Sequence, residues 1–329
     1  FELKTILSAG LLGKKGLRRW ISWVKLPIGI AQSMRFLINK RPSLVVGVGG
    51  YASGPLVLSA WLLRVPILIH EQNSFPGLTN KWLGRIADKV AVSFKESSKF
   101  FPRDKVEVTG NMIREEFCQP RENFPKAPQG LFRLLVLGGS QGAHSINISM
   151  IEALQSLTSK KRNIHITHQT GESDHQMVQR EYENSGLSHD VRPFIDDVAE
   201  QYRKASLVIC RAGATTLAEV TACGKVSVLI PYPHAAHNHQ EKNARLLDDA
   251  NAGELVLDKE LSGERIAQSI LRAMEDPQRM HEMETNSYQL GKRDATEKVG
   301  AICMDLLKGA NHKSGRTRKT ERNYVLSCF

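Results

Sequence analysis

Residues 134–147 read LLVLGGSQGAHSIN, an apolar run that passes through a glycine-rich stretch into a more polar segment. The apolar run predicts a buried strand over Leu134–Leu137, and GGSQGA (Gly138–Ala143) predicts a turn. The spacing of apolar residues after the turn predicts a helix over Ile146–Leu157. Continuous apolar strands that alternate with helices are typical of parallel sheets covered on both faces. This stretch therefore predicts an α/β fold.

The same alternation extends from this stretch towards both ends of the chain. It predicts further strands at Leu44–Val48, Pro66–His70, Val90–Val92, Val106–Val108, Ile164–His168, Leu207–Cys210 and Val226–Ile230. It predicts further helices at Gly77–Ile86, Asp174–Glu183, Leu217–Ala222, His239–Asp249 and Gly263–Glu275. Residues 115–130 interrupt the pattern with three prolines and mixed charge, which suits a linker. We predict two doubly wound Rossmann-like domains, residues 1–122 and 123–307, and a disordered basic tail, residues 308–329.

The basic charge of the chain is concentrated at its two ends. The 329 residues carry a formal net charge of +11, but residues 1–42 hold nine basic and one acidic residue, and residues 308–329 hold six and one. The remainder is close to neutral, which argues against a nucleic-acid-binding surface over the whole protein. The first segment interleaves its basic residues with Trp20 and Trp23. That mixture is typical of a segment on an anionic membrane surface, although an ordinary helix covering the sheet fits it too.

Cysteine and histidine spacing gives no indication of a disulfide framework or a metal site. The five cysteines contain no CxxC pair, so a reducing cytoplasm is the natural setting. His234, His237 and His239 lie in one loop, but no carboxylate is arranged to complete a metal site. We predict no metal and no cofactor. The chain begins at Phe1 rather than at methionine, and we expect the sequence to start inside a longer protein.

Two glycine-containing loops follow predicted strands, where α/β sheets bind their ligands. The Gly138–Ala143 loop suits a phosphate or diphosphate, with Ser140 as a hydroxyl donor, or it is a plain tight turn. It lacks the GK[ST] of an ATPase loop. The second loop, in CRAGATTLAE (Cys210–Glu219), offers Arg211 as a cation and the backbone N–H groups of the following helix start. Glu219 suits a ribose diol, or it is only a carboxylate favoured by the helix dipole.

Other polar groups follow the remaining predicted strands. HEQNSFPGLTNKW (residues 70–82) combines an imidazole, a carboxylate and amides, which suits sugar hydroxyls and proton transfer. Gln240 and Asn243 suit hydrogen bonds to hydroxyls, and the backbone at Ile195 is placed to face a base ring or simply lies beside a helix cap. No GxSxG elbow or Cys/His pair points to a hydrolase.

Seven segments together carry a resemblance that none of them carries alone. In chain order they are GVGGYASGP, HEQNSFPGLTNKWL, GNMIREEF, LGGSQGAHSIN, FIDDVAEQY, CRAGATTLAE and HQEKNA. This order resembles the MurG family, the peptidoglycan transferases of glycosyltransferase family 28, over about residues 5–305. The resemblance implies a GT-B architecture, in which two Rossmann-like domains face a cleft. It also implies an inverting, metal-independent transfer of N-acetylglucosamine from UDP-GlcNAc to the muramyl sugar of undecaprenyl-linked lipid I, giving lipid II.

The resemblance also assigns roles to individual residues. It implies that Ser140 contacts the diphosphate, Ile195 faces the uracil, Arg211 lies near the uracil and phosphates, Glu219 binds the ribose and Gln240 contacts the donor sugar. The helix start at Ala214, Thr215 and Thr216 would receive the diphosphate. The further positions that it places in the active cleft are Tyr51, His70, Glu71, Asn73, Asn80, Arg114 and Asn147. His70 and Glu71 are the candidate general bases. The acceptor implies a peripheral protein on an anionic membrane, at the cytoplasmic face of the bacterial inner membrane.

The chain departs from the family pattern at its start. The family begins with a strand and a loop like GGTGGHxxPA that holds a histidine, and neither is present here. We therefore expect the first sheet to lack its opening strand, as in a fragment or a sequence whose start is assigned late. Three alternatives stay open: a protein that binds the donor without transfer, a UDP-sugar enzyme such as a UDP-GlcNAc 2-epimerase, and an inactive fragment.

Overall fold

The computed structural model describes residue 5 and residues 17–120, 130–159, 163–314 and 324–327. Within these ranges, only the backbone is described for residues 17–26, 51–52, 310–314 and 324–327. The chain forms two compact units, Phe1–Asn111 with Asp294–Phe329, and Met112–Arg293. Each contains a parallel sheet and helices, so the predicted fold class of two Rossmann-like domains is confirmed. The unit boundaries differ from the predicted ones, because residues 112–122 belong to the second unit and residues 294–307 return to the first.

The secondary structure follows the alternating pattern of the sequence. The strands are β1 Leu44–Gly47, β2 Ile67–Glu71, β3 Lys89–Val92, β4 Val106–Val108, β5 Phe132–Leu137, β6 Ile164–Gln169, β7 Ser188–Arg192, β8 Leu207–Cys210, β9 Ser227–Leu229, β10 Gly253–Leu255 and β11 Tyr324–Ser327. The helices are α1 Leu17–Lys40, α2 Gly50–Leu62, α3 Leu78–Ile86, α4 His144–Ser159, α5 His175–Ser185, α6 Val198–Lys204, α7 Ala214–Ala222, α8 His239–Asp249, α9 Gly263–Glu275, α10 Pro277–Leu290 and α11 Ala295–Ser314.

The sheet of the first unit has the strand order β11-β1-β2-β3-β4, with parallel pairing throughout. The apolar runs of β1 and β2 are buried along their whole length. Gly47 allows β1 to pack closely, since a Cβ there would lie 2.9 Å from side-chain atoms of Ile69 and Val57.

The C-terminal tail is more ordered than we predicted. Residues 308–314 continue α11, and β11 pairs with β1 in the register Leu44 to Tyr324. The prediction of disorder is therefore wrong for these residues, and the rest of the tail lies outside the described residues. An exposed edge of β1 would leave backbone N–H and C=O groups unpaired, and β11 supplies their partners. We expected the first sheet to lack its opening strand, and β11 is the strand at the edge beside β1.

The sheet of the second unit has the order β10-β9-β8-β5-β6-β7, also parallel. From β5 the chain adds β6 and β7 on one side and then crosses to β8 on the other. The strand order therefore reverses between β5 and β8, where Leu137 is opposite Cys210. Such a reversal opens a crevice at the carboxyl ends of the strands, and ligands of α/β sheets bind there.

The loop after β5 approaches the loop after β6 so closely that a side chain does not fit between them. Gly142 has a φ of 76°, and a Cβ at this position would lie 1.9 Å from the carbonyl oxygen of Thr170. Gly139 has a similar φ of 84°, but a Cβ there would meet nothing within 4 Å. Both positions favour glycine because of their backbone conformation, but only Gly142 also lacks the space for a side chain.

We predict that Gly142→Ala destabilises the second unit more than Gly139→Ala does. The Gly139 variant should lose about 1–2 kcal/mol of unfolding free energy from left-handed strain. The Gly142 variant should lose at least about 2 kcal/mol more, because the loops must separate. Urea unfolding of both variants measures the difference, and equal losses would contradict the close approach of the two loops.

Candidate functional site

The carboxyl ends of β5 and β8 bring two of the predicted loops together in the second unit. The Gly138–Ala143 loop leaves β5, and residues 211–213 leave the neighbouring β8. The first loop is held by two bonds to the carbonyl of Gly139, which accepts from Gln169 Nε2 at 2.8 Å and from the N–H of Gly142 at 2.9 Å. Ser140 lies at its exposed tip. This arrangement suits the predicted diphosphate contact.

The second loop leads into the amino terminus of α7. Gly213 is the N-cap in an extended conformation, and it provides no side-chain acceptor for the first N–H groups of the helix. The first turn consists of Ala214, Thr215 and Thr216, as the resemblance implied. A helix start without a side-chain cap directs backbone N–H groups and the positive end of the dipole towards an anion.

Arg211 directly follows β8, and its charge is already balanced. Its Nη1 donates to Asp258 Oδ1 at 2.8 Å and to the carbonyl oxygens of Ile230 and Pro231 at 3.2 Å, while its Nη2 donates to Ser145 Oγ at 2.8 Å. The guanidinium therefore ties together the start of α4, the end of β9 and the segment before α9. The sequence singled out the cation but not its partner Asp258, so a direct contact with the diphosphate stays a prediction.

Glu219, in the second turn of α7, carries the most perturbed carboxyl group of this edge. Burial raises its pKa to about 7, although nearby Arg114 counteracts the effect and Glu116 adds to it. Among the described residues no group donates a hydrogen bond to this carboxylate. A half-buried carboxylate without a donor is an unfavourable state that a ligand with two hydroxyl groups would relieve.

Arg114 lies on the first segment of the second unit. Its Nη1 forms an ion pair with Glu116 Oε1 at 2.7 Å, and its guanidinium lies over the ring of Phe117 with 5.1 Å to the centroid. Phe117 in turn packs against Tyr202 at 5.6 Å between ring centroids. The segment is thus anchored by a buried aromatic pair, and Arg114 is held near Glu219 by that anchor.

Gln240 and Ile195 both have one group engaged within the protein. Gln240 Oε1 accepts from the N–H of Tyr232 at 2.9 Å, which directs the amide of a residue predicted to contact the sugar. The N–H of Ile195 donates to Gln169 Oε1 at 3.0 Å, and the Ile195 side chain is buried. Gln169 therefore links the loops after β5 and β7. We did not single out Gln169 from the sequence, although its place at the end of a strand could have indicated a role at this edge.

Asn147 does not reach the surface at which the resemblance placed it. The side chain is fully buried; its Nδ2 donates to Thr170 O at 2.9 Å and to Asp174 Oδ2 at 2.8 Å, and its Oδ1 accepts from His168 Nε2 at 3.0 Å. Its hydrogen-bonding groups are taken by the protein, so the prediction that Asn147 itself lines the active cleft is wrong for this structure. It supports residues that lie nearer the surface.

In the first unit, Glu71 at the end of β2 organises the loop that follows. Its Oε1 accepts from the N–H and Nδ2 of Asn73 at 2.9 and 3.3 Å, and its Oε2 accepts from Asn80 Nδ2 at 2.8 Å. Burial raises the pKa of Glu71, while these hydrogen bonds act in the opposite direction. Both carboxylate oxygens accept hydrogen bonds from within the loop, so Glu71 is a poor candidate for the base. Its contacts give it a structural role in the loop.

His70 precedes Glu71 and keeps one nitrogen unused. The ring is buried, its Nε2 donates to the carbonyl of Gly110 at 3.2 Å, and its Nδ1 has no partner among the described side chains. Burial lowers the pKa of His70, so the ring is neutral with a lone pair on Nδ1. Asn80 Oδ1 is a second buried acceptor without a partner. Tyr51 lies in the first turn of α2, and its side chain is outside the description.

The described residues hold neither a cluster of metal ligands nor a membrane-spanning helix. They contain no group of three or more His, Cys, Asp and Glu side chains that could hold a metal ion, and His234, His237 and His239 form no such group. None of the described helices is both long enough and apolar enough to cross a membrane.

Two family models match the chain. The glycosyltransferase family 28 C-terminal domain matches residues 133–299, and the glycosyltransferase family 28 N-terminal domain matches residues 4–92. The first match covers the strands and loops of the second unit, which include Ser140, Arg211, Glu219 and Gln240.

Curated relatives match almost the whole chain. Proteins of Geobacter sulfurreducens and Myxococcus xanthus are 46% and 43% identical over 91% and 97% of this chain, each over 83% of the relative. Both are named UDP-N-acetylglucosamine–N-acetylmuramyl-(pentapeptide) pyrophosphoryl-undecaprenol N-acetylglucosamine transferase.

Solved structures agree on the fold. Acinetobacter baumannii MurG is 30% identical and superposes with a TM-score of 0.73, over 92% of this chain and 83% of its own. UDP-GlcNAc 2-epimerase from Neisseria meningitidis, solved with bound UDP-GlcNAc, has a TM-score of 0.60 at 12% identity, over 88% and 82%. The second likeness shows the fold alone.

We predict that Glu219→Gln stabilises the protein, and increasingly so as the pH rises. The folded-state pKa of about 7 is above the ordinary 4.5, so the carboxyl group weakens the fold as the pH rises from about 4.5 to 7. The variant should match the wild type near pH 4.5 and exceed it above pH 7 by up to about 3 kcal/mol.

Urea unfolding between pH 4.5 and 8 measures this difference, with Glu264→Gln as the matched control at an exposed glutamate. A Glu219→Gln effect that is the same at every pH would contradict the buried, unpaired state of the carboxylate.

Proposed function

The chain belongs to glycosyltransferase family 28, and we propose that it transfers N-acetylglucosamine from UDP-GlcNAc to the muramyl sugar of undecaprenyl-linked lipid I, giving lipid II. The observation that carries this proposal is the carboxylate of Glu219, which lacks a hydrogen-bond donor among the described residues and lies in the second turn of α7. It adjoins a helix start and a glycine loop at the switch point of a parallel sheet. A nucleoside diphosphate has the diol and the anionic groups that this combination would bind.

The donor would be held by groups of the second unit. Ser140 and the N–H groups of Ala214, Thr215 and Thr216 would bind the diphosphate, and Glu219 the ribose hydroxyls. The backbone at Ile195 would face the uracil, and the Gln240 amide would contact the sugar, with Arg211 and Arg114 nearby. The charge on departing UDP would be stabilised by N–H groups and the α7 dipole, so we propose a transfer that needs no metal.

The reaction would be a single displacement with inversion. The C4 hydroxyl of the muramyl sugar would attack the anomeric carbon of N-acetylglucosamine as the bond to the UDP oxygen breaks, and the hydroxyl proton would pass to a base. His70 fits the base better than Glu71, because its Nδ1 lone pair is unused and its tautomer is set by Gly110. Asn73, Asn80 and Tyr51 would complete the acceptor side in the first unit.

The first unit has features that suit a membrane-bound acceptor. Trp82 on α3 is 66% exposed, with Arg85 stacked over it at 4.7 Å, and Trp61 on α2 is 48% exposed. Large exposed aromatic residues beside basic side chains are typical of surfaces that rest on anionic headgroups. We propose peripheral docking at the cytoplasmic face of the bacterial inner membrane, to which the basic α1 would contribute.

We predict that the purified chain releases UDP from UDP-GlcNAc only when a lipid I analogue is present. Glu219→Ala should lower kcat/KM by about 100-fold, because two hydrogen bonds to a charged group are lost. Coupled detection of UDP measures the rate, and Glu264→Ala is the matched control. Acceptor-independent formation of UDP-ManNAc would instead identify an epimerase, and absence of UDP binding would contradict any donor-dependent function.

A second prediction concerns the base. His70→Gln should lower kcat by about 100-fold or more with little change in KM, because the loss of a general base acts on the chemical step. His165→Gln is the control. That ring lies near the amino end of β6 and forms a hydrogen bond with Ser188, whereas His70 lies at the carboxyl end of β2. Thermal melts should establish that both variants fold. An unchanged kcat in a folded His70 variant would remove this residue from the mechanism.

A further inference from the structure

A continuous chain of polar side chains runs through the second unit and ends at the start of α4. The hydroxyl of Tyr182 lies 3.0 Å from His168 Nδ1, and His168 Nε2 lies 3.0 Å from Asn147 Oδ1. Asn147 Nδ2 lies 2.8 Å from Asp174 Oδ2, and the same carboxylate oxygen lies 2.9 Å from His144 Nδ1. Tyr182, His168 and Asn147 are fully buried.

The chemistry of these groups leaves one arrangement of protons. The Nδ2 of Asn147 donates to Thr170 O and to Asp174, so its Oδ1 is turned to His168 and needs a donor there. Burial lowers the pKa of His168 to about 3, which leaves a neutral ring with its proton on Nε2. The hydroxyl of Tyr182 then donates to Nδ1. Each of these links is satisfied, and such a network rigidly positions its last member, Asp174.

Asp174 in turn positions His144. This residue is the first of α4, directly after the Gly138–Ala143 loop, and its side chain is 71% exposed. Hydrogen bonds from Asn147 and His144 bring the pKa of Asp174 below its usual value despite partial burial. An ionised Asp174 accepts the proton on Nδ1 of His144, so Nε2 is the nitrogen that faces solvent.

The position of His144 relates it to the predicted diphosphate loop. Its imidazole lies at the exposed rim of that loop, in the first turn of α4, and the carboxylate of Asp174 fixes the direction of the ring. A network that extends into the core of the second unit thus holds an exposed imidazole nitrogen beside a loop that suits a diphosphate.

We propose that His144 is an additional binding residue for the diphosphate of the nucleotide donor, and that Asp174 and Asn147 are its positioning residues. With the carboxylate of Asp174 on one side of the ring and a phosphate oxygen on the other, both ring nitrogens would carry protons, and Nε2–H would donate a charge-assisted hydrogen bond to that oxygen. This inference rests on the proposed function, which places the donor at this loop. It also gives a role to Asn147, which the sequence singled out but which has no access to a ligand.

The experiment compares UDP with uridine, which lacks the phosphates. Calorimetry on the full chain should show that His144→Gln weakens UDP binding about tenfold and leaves uridine binding unchanged. Asp174→Asn should act in the same direction, and the double variant should be no weaker than His144→Gln alone, because both changes remove one interaction. His144→Arg should retain most of the affinity for UDP. His165→Gln, which changes a partly exposed histidine near the amino end of β6, should change neither affinity.

Three outcomes would overturn the inference. The first is that His144→Gln binds UDP as the wild type does. The second is that it loses UDP and uridine affinity equally, which is the signature of a structural role. Additive losses in the double variant would separate Asp174 from His144. Failure of the wild-type chain to bind UDP would instead refute the proposed function itself, so the two failures are distinguishable. His144 is on the surface, and its variants should fold even if Asp174→Asn does not.

Discussion

The parallel pairing of β5 with β8 is the constraint on which the candidate donor site depends. These strands are far apart in sequence, yet Leu137 and Cys210 lie opposite each other at their carboxyl ends. Two loops that each offer backbone N–H groups are thereby brought to one edge. The loop after β5 also packs against the loop after β6, and this approach is possible only because Gly142 has no side chain to collide with Thr170. A register change of one residue between β5 and β8 would exchange the two faces of one strand and displace its loop, so core packing and the geometry of the site are set by the same pairing.

The polar groups of the two candidate regions, one in each unit, fall into two energetic classes. Arg211 and Asn147 have their hydrogen bonds satisfied within the protein, and they stabilise the edge. Glu219 in the second unit and His70 in the first are buried or half-buried with unused acceptors, which weakens the fold. Proteins retain such unfavourable groups mainly where function needs them. This cost is the physical reason for which we propose functional roles for Glu219 and His70.

The sequence predicted the parts of the fold that depend on local pattern. The apolar runs of β1, β2, β5 and β8, and the glycine loop after β5, were predicted from periodicity and turn residues, which act within a few positions. β10 is three residues, Gly253–Leu255, without an apolar run, and it was not predicted. The partner of Arg211 was also missed, because Asp258 is 47 positions away and its carboxylate resembles any surface acid. The return of α11 to the first unit was missed for a similar reason, since an amphipathic helix does not encode which sheet it will cover.

The proposed binding of a diphosphate at this edge does not depend on an excess of positive charge. Arg211 is balanced by Asp258, and His144 forms a hydrogen bond with the carboxylate of Asp174. The body of the chain is close to neutral, and the basic residues are concentrated at its ends. What remains to bind an anion is directional: backbone N–H groups of the loop and of α7, a helix dipole, and single donors such as Ser140 and His144. Directional donors bind a diphosphate at a defined place and lose little to salt screening, whereas a diffuse positive surface would also retain nucleic acids. The separation of a neutral donor site from basic ends is thus consistent with a protein that binds a soluble nucleotide in one region and an anionic surface in another.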